Sequence, residues 1–237
     1  MTPSAFPYPG VFIVGTDTAV GKTFVGAAIG AALRGRGLRV GVMKPAESGC
    51  EQIDGLLVPS DAEHLRETSG CGAPLSVVCP YQFAEPLAPA LAAERAGETI
   101  DMLHIHECFA QLQAEHDLML VESAGGLLTP LTGTHTMRDL AVAMALPVIV
   151  VARNVLGAIN HTTLTVASAQ AAGLNVVGVV LNHAEPVDDA AALTNAEAIA
   201  RWGGAPLLAV VPWAPSLDMA AIASLGDPII AALELRD

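Results

Sequence analysis

Six short apolar runs recur along the chain: "GVFIV" (Gly10 to Val14), "RVGVMKP" (Arg39 to Pro45), "DLMLVES" (Asp117 to Ser123), "LPVIVVA" (Leu146 to Ala152), "NVVGVVLN" (Asn175 to Asn182) and "PLLAVVPW" (Pro206 to Trp213). They are too continuous for half-exposed strands, which alternate, and so read as strands buried on both faces. Between them lie segments with helical spacing: Lys22 to Arg36, stopping at Gly37, then Asp101 to Glu115, Asn160 to Ala172 and Asp188 to Trp202. This alternation predicts an α/β fold, a doubly wound and mostly parallel sheet flanked by helices, with ligands at the carboxyl ends of the strands. Hydrophobic residues make up 52% of the chain but aromatics only 4%, which suits a core of Ala, Val, Leu and Ile. No linker or shift in composition divides the sequence, so a single domain over residues 1–237 is expected.

The first run leads into "GTDTAVGKTF" (Gly15 to Phe24). A phosphate-cradling P-loop is usually spelled G-x-x-x-x-G-K-[ST]: backbone N–H groups wrap the phosphates, Lys reaches the outer phosphates and the hydroxyl meets Mg²⁺. Here Gly15 precedes Gly21 by six positions rather than five, and Thr16 holds the place of the first Gly. The context is nevertheless strand, loop, helix, so the helix N-terminus faces any anion held there. Gly21 permits close backbone approach, Lys22 supplies charge and Thr23 is a candidate metal ligand.

Only two of the eleven basic residues are lysines, Lys22 and Lys44, and both lie where a strand hands over to a loop. Neighbouring strand ends adjoin in a doubly wound sheet, so both ammonium groups can reach one cavity, which implies transfer chemistry or a second anionic reactant; a solvated strand-end charge is the alternative role of Lys44. Two carboxylates are candidates to complete a Mg²⁺ site. Glu122 follows "DLMLV" and precedes "SAGG", so it is expected at the carboxyl edge beside a flexible loop that could approach a nucleotide. Asp61 sits in "SDAE" (Ser60 to Glu63), a capping-box spelling that predicts a helix from Ser60 to about Thr68; complementarity to the helix dipole is its alternative role.

Other features exclude functions. A formal charge of −13 without a basic block argues against nucleic acid and anionic membranes as partners. The longest apolar run, Leu140 to Ala152, is too short to span a bilayer and contains Pro147. The N-terminal "MTPSAFPYPG" lacks the charged-then-apolar order of a secretory signal, so a cytoplasmic location is expected. Cys50, Cys71, Cys79 and Cys108 have no C-x-x-C spacing and are expected to be reduced, mostly buried thiols. His104 and His106 would point about 200° apart on a helix, which argues against a shared metal.

Taken in order, "GTDTAVGKT", "KPAESG", "SDAEHL", "FAEPLAPALAA", "LVESAGGLLTPL", "LGAINHTTLT", "VVLNHA" and "VPW" resemble the dethiobiotin synthetase family from Val11 to about Trp213. The resemblance implies an ATP- and Mg²⁺-dependent ligase of biotin biosynthesis. It would close a cyclic urea from 7,8-diaminononanoate and CO₂ and release ADP and phosphate. It also implies roles. Lys22 and Lys44 would be catalytic, holding carbamate and γ-phosphate together. Thr18 and Ser48 would hydrogen-bond the organic substrate. Thr23, Asp61 and Glu122 would bind Mg²⁺.

By the same resemblance the nucleotide would lie against Ala19, Val20, Gly21, Lys22, Thr23 and Phe24, against Ser123, Ala124 and Gly125, and, at the base, against Asn182, His183, Pro212, Trp213 and Ala214. Asn160 would reach the substrate's carboxylate tail across a homodimer interface. Two positions depart from the family's usual residues: Ala19, commonly glutamate, and Ser123, commonly glycine. A P-loop ATPase switch of the chromosome-partition type is the main rival; that group carries a further lysine early in the loop, where Thr16 to Thr18 stand here. Amide ligases related to cobyrinate synthesis usually add an amidotransferase domain, for which this length leaves no room.

Overall fold

The computed structural model describes residues 6–186, 190–214 and 218–235. The chain opens with β1 (Gly10–Gly15), buried along its whole length, and α1 (Lys22–Gly35), and then returns to the sheet as β2 (Val40–Met43). A group of small elements follows: β3 (Ala46–Ser48), β4 (Glu51–Ile53), β5 (Leu56–Val58), α2 (Ser60–Ser69), α3 (Leu75–Val78), β6 (Tyr81–Phe83) and α4 (Pro89–Ala96). Regular winding then resumes with α5 (Met102–Glu115), β7 (Leu118–Gly126), α6 (Met137–Met144), β8 (Val148–Arg153), α7 (Ala158–Ala171), β9 (Val176–Asn182), α8 (Ala190–Trp202), β10 (Leu207–Val211) and α9 (Met219–Glu234).

All six expected strands enter one sheet, ordered β10-β9-β8-β1-β7-β2, and every pairing within it is parallel. Two outlying pairs accompany it, parallel β3–β6 and the antiparallel hairpin β4–β5. The chain steps out from β1 to β2 and then reverses, returning through β7, β8, β9 and β10. Because parallel crossovers are right-handed, α1 covers one face while α5, α6, α7 and α8 cover the other. α9 then returns to the face of α1, and its Gly226 comes so close that a Cβ there would lie 2.1 Å from the Ala28 carbonyl oxygen. Small residues on α1, Ala27, Ala28 and Ala31, are what permit this approach.

Register determines which strand ends meet. Ile13 lies beside Glu122 of β7 and Ile149 of β8, and Met43 lies beside Val121. Lys44, the residue after β2, therefore stands beside Glu122 of β7, next to the loop that follows β1.

Three local expectations change. β7 continues through Gly126, so "SAGG" extends the strand instead of forming a loop, with Gly125 turned to φ +67°. α2 begins where expected, but Pro59 is its N-cap residue and no local side chain caps it. The Asp188 start expected for α8 lies outside the described residues; the helix is described from Ala190. All four cysteines are free and buried. No helix among the described residues is long and apolar enough to cross a membrane.

Candidate active site

The loop after β1 is pinned from two neighbouring strands. Thr16 N donates to Val151 O on β8 (2.9 Å), and the Asn182 carboxamide, at the end of β9, donates to Val20 O (3.0 Å). Gly21 leaves the loop at φ +94°, where a Cβ would lie 2.0 Å from Asn182 Nδ2, so glycine is required both for the turn and for the approach. Ala19 adopts φ +56° without glycine's freedom, which costs about 1–2 kcal/mol. α1 then starts with neither a side-chain cap nor an acidic residue in its first turn. Its free N–H groups and positive dipole end are open to an anion.

Lys22 folds back over the loop, Nζ donating to Asp17 O (3.2 Å). Burial pushes its ammonium below the ordinary lysine range, against an opposing pull from Glu122. Lys44 is 3% exposed and reaches across the strand ends, donating to Asp61 Oδ2 (2.9 Å) and to Glu122 Oε1. Burial works against its charge, but Glu122 and Asp61 outweigh that and hold it above the usual lysine range. Burial likewise disfavours the Asp61 carboxylate, yet Lys44 prevails and keeps its pKa low. Thr23 Oγ1 donates to Glu122 Oε1 (3.0 Å). Both ammonium groups, both carboxylates and the hydroxyl thus converge on one cavity of about 660 Å³ at the carboxyl edge of the sheet.

The expected Mg²⁺ fits this donor set. Thr23, Asp61 and Glu122 offer hard oxygens, and Glu122 Oε2 is buried with no hydrogen-bond partner. No cluster of three or more His, Cys, Asp or Glu side chains suited to a metal occurs among the described residues. Two carboxylates with a hydroxyl are instead the kind of sparse set that Mg²⁺ shares with phosphates and water.

Of the residues expected at the site, Thr18, Ala19, Gly21, Lys22, Thr23, Lys44, Ser48, Asp61, Glu122, Ala124 and Gly125 line the cavity. Val20 is buried beneath the loop and Phe24 packs half-buried on α1. Ser123 is fully buried and its hydroxyl donates to Gly125 O (3.0 Å), so its side chain faces away from the cavity. Asn182 and His183 lie at the end of β9, where His183 N donates to Val211 O (3.0 Å), next to Pro212, Trp213 and Ala214 after β10. These five form a group apart, on the other side of the loop. Asn160 is exposed on α7 and does not line the cavity of its own chain.

The residue that sequence reasoning missed is Glu47. It lines the cavity, is 5% exposed, and accepts from the backbone N–H of Asp61 (Oε1, 3.0 Å) and Ala62 (Oε2, 3.0 Å). It therefore supplies the cap that the capping-box spelling assigned to Ser60. Burial raises its carboxyl pKa, with the two backbone N–H bonds opposing. The available signal was its place in "KPAESG" between two expected site residues; its partners, a helix start fourteen residues on, left no local pattern.

A family model described as an AAA domain matches residues 9–221. The ATP-dependent dethiobiotin synthetase BioD of Anaeromyxobacter dehalogenans is 47% identical over 225 residues, covering 95% of this chain and 99% of its own. The chain belongs to the dethiobiotin synthetase family.

Synthetases from other organisms match over somewhat less of each chain. The synthetase of Bacillus cereus is 41% identical, covering 86% of this chain and 83% of its own, and that of Thermodesulfovibrio yellowstonii 38%, covering 88% and 90%. Among solved structures, the MinC:MinD cell division protein complex of Aquifex aeolicus superposes with a TM-score of 0.56 at 15% identity, covering 95% of this chain and 94% of that one. At that identity the likeness concerns the fold.

Proposed function

We propose that the protein is an ATP-dependent dethiobiotin synthetase, joining CO₂ to the two amines of 7,8-diaminononanoate as a cyclic urea. The observation that carries the reading is the convergence of two buried lysines on one cavity, with an uncapped helix N-terminus at its edge and Thr18 and Ser48 in its wall. One amine adds to CO₂ and loses a proton, giving a carbamate. A carbamate oxygen takes the γ-phosphoryl of ATP and ADP leaves. The second amine then attacks the carbamate carbon, phosphate leaves with the bonding pair, and loss of the amine proton completes the ring.

Carbamate and γ-phosphate repel each other. Lys22, over the loop, and Lys44, at the end of β2, hold them in one place and offset charge as it develops. The first N–H groups of α1 and the loop N–H groups hold the phosphates. When bound, Mg²⁺ supplies Lewis-acid neutralisation of the phosphate charge, and Thr23, Asp61 and Glu122 are the residues that would hold it. The base would lie on the far side of the loop, read by Asn182, whose Oδ1 is buried without a partner, with His183 and the 212–214 segment alongside.

We further infer a cytoplasmic homodimer of single-domain chains. Leu128, Leu156 and Leu164 are 53%, 82% and 61% exposed, and Leu128 and Leu164 flank a cleft floored by Thr16 and Thr18. Asn160 lies one helical turn before Leu164, so a second copy covering this cleft would bring an Asn160 toward the substrate tail.

The test is release of ADP and phosphate by the purified protein. Turnover should require diamine and bicarbonate together and should yield a product with the mass of the cyclic urea. Diamine-independent turnover stimulated by a protein partner would overturn the ligase reading in favour of an ATPase switch.

A further inference from the structure

The carboxylate of Glu47 caps α2 but belongs to none of the catalytic, substrate-binding or metal-binding roles described so far. It sits on β3, opposite Gln82 of β6, three residues after Lys44 and one before Ser48. Its two oxygens each accept one backbone N–H at the start of α2, from Asp61 and from Ala62, both at 3.0 Å. A carboxylate that receives two parallel N–H bonds fixes both the position and the rotation of the turn that donates them. The first of those donors is the residue whose side chain meets Lys44 at 2.9 Å.

We propose that Glu47 is a positioning residue for Asp61. It ties the first turn of α2 to the strand that bears Lys44 and Ser48, so that the Asp61 carboxylate stays where a nucleotide-bound divalent cation needs it. This deepens the ATP- and metal-dependent reading above and rests on it.

A helix start can be capped from within by Ser, Thr, Asn or Asp immediately before it. Here Pro59 stands in that position and offers no side-chain acceptor. The chain instead places a buried carboxylate from another element, which is worth its desolvation only if the helix has to be held at a set place relative to that element. The charge is compensated in place by the two N–H bonds and the positive end of α2. With both oxygens so engaged, Glu47 is poorly placed to take a proton from an amine substrate, the other role open to a carboxylate lining this cavity.

The probe is Mn²⁺ in the presence of ADP, with free Mn²⁺ followed by electron paramagnetic resonance in wild type, Glu47→Ala, Glu47→Gln and Asp61→Asn. Glu47→Ala should weaken Mn²⁺ binding about 10–100-fold, as loss of a supporting partner behind a metal ligand does. Its near-UV circular dichroism should be retained. Glu47→Gln keeps one acceptor oxygen and should fall between wild type and Ala. The Glu47→Ala/Asp61→Asn double variant should bind no more weakly than Asp61→Asn, because the first change acts through the second residue.

Wild-type Mn²⁺ affinity in Glu47→Ala would overturn the proposal. So would a Glu47→Gln variant as inactive as Glu47→Ala with normal Mn²⁺ binding, which would make Glu47 a proton acceptor. Absence of Mn²⁺ binding in the wild type would instead overturn the nucleotide–metal reading beneath it, and this proposal with it.

Discussion

Replacing Lys44 by Met removes the ammonium while keeping most of the aliphatic stem, and so isolates the charge at the centre of the site. In the wild type that charge faces Glu122, 1% exposed, and Asp61, whose side chain is 44% exposed. Glu122 dominates the cost. Removing one partner of a buried pair costs about 3–5 kcal/mol because the other charge is left uncompensated. Asp61 contributes little, since solvent screens it, and Lys22 offsets part of the loss.

About 3 kcal/mol remains, which for a chain of this size lowers Tm by roughly 6–12 °C. The folded-state pKa of Lys44 is raised above 10.5, so its contribution is complete below that pH and is lost only as pH rises through the higher folded value. The deficit of the variant should therefore be constant from pH 6 to 9. Urea unfolding followed by far-UV circular dichroism at pH 8 should show a lower midpoint with an unchanged slope. Adding Glu122→Gln removes the stranded charge and should restore at least about 2 kcal/mol relative to the sum of the single costs. Additive costs, or a Lys44→Met variant as stable as wild type, would refute the reasoning.

Three further outcomes follow from the same geometry. Gly21→Ala should raise KM for ATP at least about tenfold and destabilise by about 1–2 kcal/mol, because φ +94° disfavours any Cβ and the new methyl displaces Asn182; steady-state kinetics and thermal unfolding check both. Gly226→Ala drives a methyl against the Ala28 carbonyl and should cost about 1–3 kcal/mol by overpacking, with kcat of the folded fraction unchanged, as calorimetry and assay would show. The folded-state pKa of Asp61 lies below 3.8, so its stabilisation is present above that pH and disappears as pH falls through the folded value; Asp61→Asn should flatten the acid limb of the unfolding profile.

Much of the frame was legible because it is local. A parallel strand buried on both faces is a continuous apolar run whoever its neighbours are, and all six runs are strands. The start of α1 was legible for a similar reason: Gly21, Lys22 and Thr23 report a turn and a helix N-terminus within a few residues. The elements between β2 and α5 were harder. β3, β4, β5 and β6 are three residues each, too short to show a period, and they exist because neighbouring elements supply their partners. The capping-box spelling at Ser60 failed because a stronger acceptor arrived from β3.

Residue chemistry and local conformation, then, are properties of a short stretch of chain: Lys22 at a helix start, Lys44 at a strand end, the off-register phosphate loop and the apolar runs carry their meaning wherever they stand. Which charges face each other is not such a property. Lys44 and Glu122 are 78 residues apart, and Thr23 and Glu122 are 99 apart. They meet because β7 inserts between β1 and β2 and its register puts Val121 opposite Met43. Strand order and register are decided by the packing of the whole sheet, and with them the pairing of Lys44, the exposure of Asp61 and the role open to Glu47.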